Sequence, residues 1–196
     1  MDGSLSSSDR RTRRAGWAVV KLTTNDYTQA ATAQIHEAWY GDVDGKQTAA
    51  TGELAALWRA LSLTTGAATI VTDCALVSNG WPKRIQLSAE PGPHTGWWQR
   101  IRAAAEQRSG TVEVVKCYSH LDEQTALELE QPALWTAGNE YADAMARTAA
   151  QEAAKPMADT IRKCEEVDRL AQRIHRRLAA VHTEACEATA SKPLPS

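Results

Sequence analysis

The sequence predicts an α/β fold, a mixed sheet with helices packed on its faces, followed by a separate amphipathic helix. Three patterns carry this expectation. Two apolar runs separated by a turn come early, helix and strand periodicities then alternate to about residue 154, and a seven-residue apolar repeat occupies much of the remainder.

Ala15 to Leu22 is a strand candidate, and a second run from Tyr27 to Tyr40 follows the turn-like Thr24-Asn25-Asp26, which together suggest an antiparallel hairpin. Between Gly52 and Leu63 the pattern changes: Leu54, Leu57, Trp58 and Leu61 fall at i, i+3, i+4 and i+7, one face of a helix. Ala68-Thr69-Ile70-Val71-Thr72 is short, apolar and rich in β-branched residues, as in a buried parallel strand. Trp97 to Arg108 reads as a helix and Thr111 to Tyr118 as a strand. Asn139 to Ala154 reads as an Ala-rich helix with Tyr141, Ala142, Met145 and Ala149 on one side. Proline disfavours helical geometry in the residue before it, so this helix is expected to end near Ala154 and a second to start after Pro156. The domain boundary is placed there, giving a domain over 1–154 and an extension over 155–196. In the extension Val167, Ile174 and Val181 repeat every seven residues beside Ala171, Leu178 and Ala185, a narrow apolar seam between charged flanks. The helix over 157–190 is therefore expected to dock on the domain or to self-associate through Val167, Ile174, Leu178 and Val181.

Composition bounds the function. At 196 residues the chain holds one domain of ordinary size plus some surplus, with 43% hydrophobic and 23% charged residues. The longest uncharged stretch, Ala60 to Thr72, has 13 residues, short of the ~20 that span a bilayer. Met-Asp-Gly-Ser offers no apolar leader, and Cys74, Cys117, Cys164 and Cys186 form no Cys-x-x-Cys pair, so free thiols in an intracellular compartment, nuclear or cytoplasmic, are expected. A net charge of -2 leaves any nucleic-acid affinity to local patches. Trp81 to Arg108 is such a patch, with Lys83, Arg84, Arg100, Arg102 and Arg108 against Glu90 and Glu106 and with Trp81, Trp97 and Trp98 interleaved. Cys164, His175, His182 and Cys186 share one helix side, but Cys164 and His182 would lie ~27 Å apart on a straight helix, so no zinc site is expected.

Four acids occupy structurally loaded places. Asp2 stands in Asp2-Gly3-Ser4, Glu53 near the start of the first helix, Asp73 at the carboxyl end of the buried strand, and Asp143 early in the Ala-rich helix. Each alone could cap a helix or complement its dipole. Their flanking words in series do more. Asp2-Gly3-Ser4, Gly52-Glu53-Leu54-Ala55-Ala56-Leu57 and Thr72-Asp73 are followed by Trp98-Gln99-Arg100-Ile101, by Val114-Val115-Lys116-Cys117-Tyr118-Ser119-His120, and by Gly138-Asn139-Glu140-Tyr141-Ala142-Asp143. Over residues 2–154 this series resembles the type-one ribonuclease H family.

The resemblance implies a five-stranded mixed sheet whose first strand is truncated here, and hydrolysis of the RNA strand of RNA/DNA hybrids by a two-metal-ion mechanism. It places catalytic roles on Asp2, Glu53, Asp73, Asp143 and His120, and two Mg²⁺ or Mn²⁺ ions on the four acids. Together with the basic and aromatic patch it implies hybrid contacts from Trp81, Lys83, Arg84, Arg100 and Asn139. Hard oxygen ligands and two cations about 3.5–4 Å apart suit phosphodiester hydrolysis on general grounds, and an imidazole near neutrality suits proton transfer. Departures from the family pattern are Gln47-Thr48-Ala49-Ala50-Thr51-Gly52, where many members carry Asn, Cys74-Ala75 after the third acid, and a long segment from His120 to Asn139. They support an alternative, a degenerate and inactive binding domain left from a retroelement polyprotein. Asp2, with only Met1 before it, is expected to fray and to weaken activity.

Overall fold

The computed structural model describes residues 1–6, 11–23, 34–119, 125 and 128–190. Strands β1 (Asp2–Leu5), β2 (Ala15–Thr23) and β3 (Gln34–Asp42) pair antiparallel in the order β1-β2-β3, with Asp2 opposite Ala18 and Ala18 opposite Tyr40. Strands β4 (Ala68–Thr72) and β5 (Val112–Lys116) pair in parallel, Ile70 opposite Val114. The Met1 nitrogen donates to the Val71 carbonyl at 3.0 Å, so the start of β1 lies alongside β4 and links the antiparallel and parallel parts. The antiparallel and parallel parts of the expected mixed sheet are thus both present, as a three-stranded and a two-stranded sheet joined at Met1.

Successive residues of a strand face opposite sides of the sheet, and β2 shows what each side needs. Trp17 and Val19 join the main core with Leu54, Leu57, Leu61, Trp98 and Ile101. These come from α1 (Ala49–Leu63) and α4 (Thr95–Glu106). Ala18 packs with Ala142 and Ala146 of α5 (Ala133–Ala190) on the other side. Small residues let α5 approach closely: a β-carbon on Gly16 would stand 2.1 Å from the Ala146 carbonyl oxygen. Burying the apolar side chains of α1 supplies on the order of 1.5–3 kcal/mol each for Leu54, Leu57 and Leu61.

Helix α1 begins where Thr48 and Thr51 cap each other's main chain, Thr51 N–H donating to Thr48 Oγ1 at 3.2 Å and Thr48 N–H to Thr51 Oγ1 at 3.0 Å. Its far end is held by Arg108, which donates to the Leu61 and Gly66 carbonyls at 2.8 and 2.7 Å. These two anchors set the position of α1, and with it that of Glu53.

The structure adds elements after β4 and corrects the extent of the Ala-rich helix. Between β4 and α4 the chain forms α2 (Ala75–Gly80), a 3-10 turn (Trp81–Lys83) and α3 (Arg84–Ala89). These pieces are too short for a helical period to stand out in the sequence. The Ala-rich helix begins at Ala133 rather than near Asn139, and it runs to Ala190 with Pro156 inside it rather than ending near Ala154. Proline removes one main-chain bond at a cost of about 3 kcal/mol, and the helix-forming Ala153, Ala154, Lys155, Met157 and Ala158 flank it on both sides. Compact units comprise residues 1–155 and 156–196. No helix among the described residues is long and apolar enough to cross a membrane.

Candidate metal and active site

Strands β1 and β4 and the first turns of α1 bring Asp2, Glu53 and Asp73 together, one carboxylate oxygen from each lying within 4.8 Å of the others. Two glycines make this possible. A β-carbon on Gly3 would stand 2.2 Å from the Glu53 nitrogen, and Gly52 lies against the Gly3 α-carbon, so α1 can rest directly on the β1 main chain. Sequence reasoning passed over this pair as positioning residues. The signal was there, because each glycine adjoins one of the acids.

Asp2 does not fray. It is 6% exposed, lies in register opposite Ala18, and accepts a hydrogen bond from the Gly3 amide at 2.6 Å. Glu53 is 8% exposed, more deeply covered than a residue at the margin of an apolar stripe. Asp73 follows the last residue of β4 and is half-buried; α2 has Cys74 as its N-cap residue, without a side-chain cap, so Asp73 is not a helix cap.

Burial dominates the electrostatics. It pushes the Glu53 carboxyl up to about 9, reinforced by the charges of Asp2 and Asp73 and by a hydrogen bond with Asp2. Burial likewise raises Asp2 to about 6, against the lowering effect of the Glu53 hydrogen bond, with Asp73 and Asp143 adding to the rise. Without a cation, Glu53 keeps a proton and shares it with Asp2. Glu53 Oε2 is buried with no hydrogen-bond partner among the described residues. Nearby thiols are no competitors as ligands: burial, then Asp73, holds Cys117 up to about 11, and burial raises Cys74 as well. The available donors are hard carboxylate oxygens, one of them buried and unsatisfied. This set fits a divalent cation of the Mg²⁺ or Mn²⁺ type.

Asp143 stands apart from the three. It lies in the third turn of α5 rather than the first and is ion-paired with Arg147, although its charge still reaches Asp2. Asn139, one turn earlier, is 5% exposed and its Oδ1 is buried without a partner. His120 lies outside the described residues. Among the expected hybrid contacts, Lys83 is exposed on the 3-10 turn, and Trp81 is in the core, covered by Arg84, whose guanidinium stacks 4.1 Å from the indole centre and donates to the Trp81 carbonyl at 2.9 Å. Arg100 is exposed on α4, 5.0 Å from the centre of the Trp97 ring.

Comparison with known proteins agrees with this architecture. The N-terminal RNase H domain of a Mycobacterium tuberculosis protein, solved as a fusion with maltose-binding protein, superposes with a TM-score of 0.52 at 18% identity, covering 79% of this chain and 94% of that one. LC9-RNase H1, a type 1 RNase H with the type 2 active-site motif, superposes with a TM-score of 0.53 at 17% identity, covering 76% of this chain and 69% of that one. At such identities the likeness establishes the fold. No curated protein matches the sequence. The family model for RNase H matches residues 1–151, and on that match the chain belongs to the RNase H family.

Proposed function

We propose that the chain is a metal-dependent endonuclease that hydrolyses the RNA strand of RNA/DNA hybrids. The observation that carries this reading is the meeting of Asp2, Glu53 and Asp73 within 4.8 Å, with Glu53 Oε2 left unsatisfied. These residues would hold Mg²⁺ or Mn²⁺, two per site, with Asp143 as a fourth ligand once it leaves Arg147. Ions so held supply charge stabilisation at the attacking and leaving oxygens of a phosphodiester. The protein's part is positional. Burial of Asp2 and Glu53 keeps water from competing for their oxygens, and the cap and clamp at the two ends of α1 fix where Glu53 lies. Asp143, apart from the cluster and only partly buried beside the exposed Arg147, can change partners without disturbing the core.

The test is cleavage of an end-labelled hybrid by the purified chain. Cleavage dependent on Mg²⁺ or Mn²⁺, stopped by chelator and restored by excess metal, with 5′-phosphate and 3′-hydroxyl products, is the expected result. Chelator-resistant turnover would remove the mechanism. Binding without cleavage in the presence of metal would favour the degenerate reading, for which the Asp143–Arg147 pair is the structural argument.

The helix over 157–190 fits self-association. Val167, Leu170, Ile174, Leu178 and Val181 are 49–65% exposed, too much apolar side chain to leave in water along one stripe. The expected solution mass of the chain is a multiple of 21.3 kDa, reduced to the single-chain value by Ile174→Glu with Leu178→Glu, with hybrid cleavage retained. Light scattering decides it, and a monomeric parent chain would refute it.

A further inference from the structure

Three indoles and two guanidiniums alternate across β2, α1 and α4. Arg59 lies 5.0 Å from the centre of Trp17 and 4.4 Å from that of Trp58, and Arg100 lies 5.8 Å from Trp58 and 5.0 Å from Trp97. Trp58 and Trp97 meet edge to face at 6.3 Å. The spatial order is Trp17, Arg59, Trp58, Arg100, Trp97.

The chemistry of this ladder is unbalanced. Among the described residues neither guanidinium has an ion pair or a hydrogen bond, and Arg59 Nε is buried without a partner. Stacking on an indole uses the face of a guanidinium and leaves its edge of N–H donors unspent. Both cations flank one ring, Trp58, at 4.4 and 5.8 Å from its centre. Like charges gathered on a rigid platform with open donors call for an anion, as the clustered acids call for a cation.

We propose that this ladder is a phosphate-binding surface for the nucleic acid engaged at the acidic site, its two guanidinium edges pairing with backbone phosphates outside the scissile position. The inference rests on the hybrid-nuclease reading. Trp58 and Arg59 follow Glu53 by five and six residues, about 8–9 Å along α1 and about 120–140° round it, so a strand that reaches both places must wrap past the flank of the helix. Contacts to phosphate position a duplex without reading its sequence. The ladder therefore adds affinity and register rather than specificity. The arginines supply the donors, and the indoles hold them flat and preorganised.

The experiment measures binding of a fluorescent RNA/DNA hybrid to the full chain in chelator, by anisotropy, across a series of salt concentrations. Arg59→Gln with Arg100→Gln should weaken binding by about tenfold near physiological salt and lower the log–log salt slope by about 1.8, the value for two phosphate contacts. Arg100→Gln alone, at an exposed position that leaves the core closed, should give about half that slope change. Arg173→Gln with Arg176→Gln removes the same charge from an exposed part of α5 and should change neither quantity. An unchanged slope in both ladder variants overturns the proposal, and so does an equal loss in the α5 control, which would mean a mere net-charge effect. A parent chain that neither binds nor cleaves the hybrid would instead refute the nuclease reading.

Discussion

Asp73→Asn is expected to lower hybrid cleavage by on the order of 10³-fold, about 4 kcal/mol in the barrier, while making the metal-free protein more stable. The two effects have opposite signs for one reason. Asp73 contributes a negative charge that the site needs when a cation is present and that is harmful when none is. Its charge adds to the upward shift of both Asp2 and Glu53. Asparagine keeps the shape and removes the charge, so the repulsion falls. Nothing in the packing opposes the change, since Asp73 is only half-buried and caps no helix. Single-turnover cleavage in Mg²⁺ and thermal unfolding in chelator measure the two sides. Near-parental cleavage would dismiss Asp73 as a metal ligand, and a loss of several degrees in Tm would show that it supports the fold instead.

What the sequence revealed, and what it hid, follows from the range of the forces involved. Strand β4 coincides with its apolar run because a strand buried in a sheet needs nothing but apolar, β-branched residues. Leu54, Leu57 and Leu61 are all buried, as the helical period required. Trp58, on the same nominal stripe, lies instead at the edge of the core and stacks on arginine. Asp2, Glu53 and Asp73 could be named because motif order constrains them, but their convergence depends on Gly3 and Gly52 touching, a long-range contact with no periodic signature. Asp143 falls in the third turn of its helix because the helix starts at Ala133, six residues before Asn139, and no capping residue marks that start in the sequence. A single proline is a local penalty of about 3 kcal/mol, which a 58-residue helix of mostly good formers can absorb. Of the ladder, Trp97 and Arg100 are legible in the sequence as part of the basic and aromatic patch, whereas Trp17, Trp58 and Arg59 join them only through contacts between three elements.

The metal-free chain should lose stability as pH rises from 5 to 8, the reverse of the usual behaviour of paired carboxylates. Glu53 moves from an ordinary 4.5 to about 9 on folding and Asp2 from 3.8 to about 6, so between these limits the folded state binds more protons than the unfolded one. Stability then falls with pH. The contribution is fully present below the unfolded values and is lost as pH climbs through the folded ones. With both shifts at these values the decline over this interval is roughly 5 kcal/mol, about 10–20 °C in Tm for a chain of this size. Metal ions compete with those protons, so Mg²⁺ or Mn²⁺ should raise Tm little at pH 5 and markedly at pH 8. Glu53→Gln separates this cause from general titration of the surface. The amide has no proton to lose, so the variant should show a much flatter pH profile in chelator and be more stable than the parent at pH 8, while also losing most of its stabilisation by metal. A parent chain whose Tm in chelator is flat or rising from pH 5 to 8 would mean that Glu53 and Asp2 are not buried against one another as described. A variant with the parent's slope would place the titrating groups elsewhere.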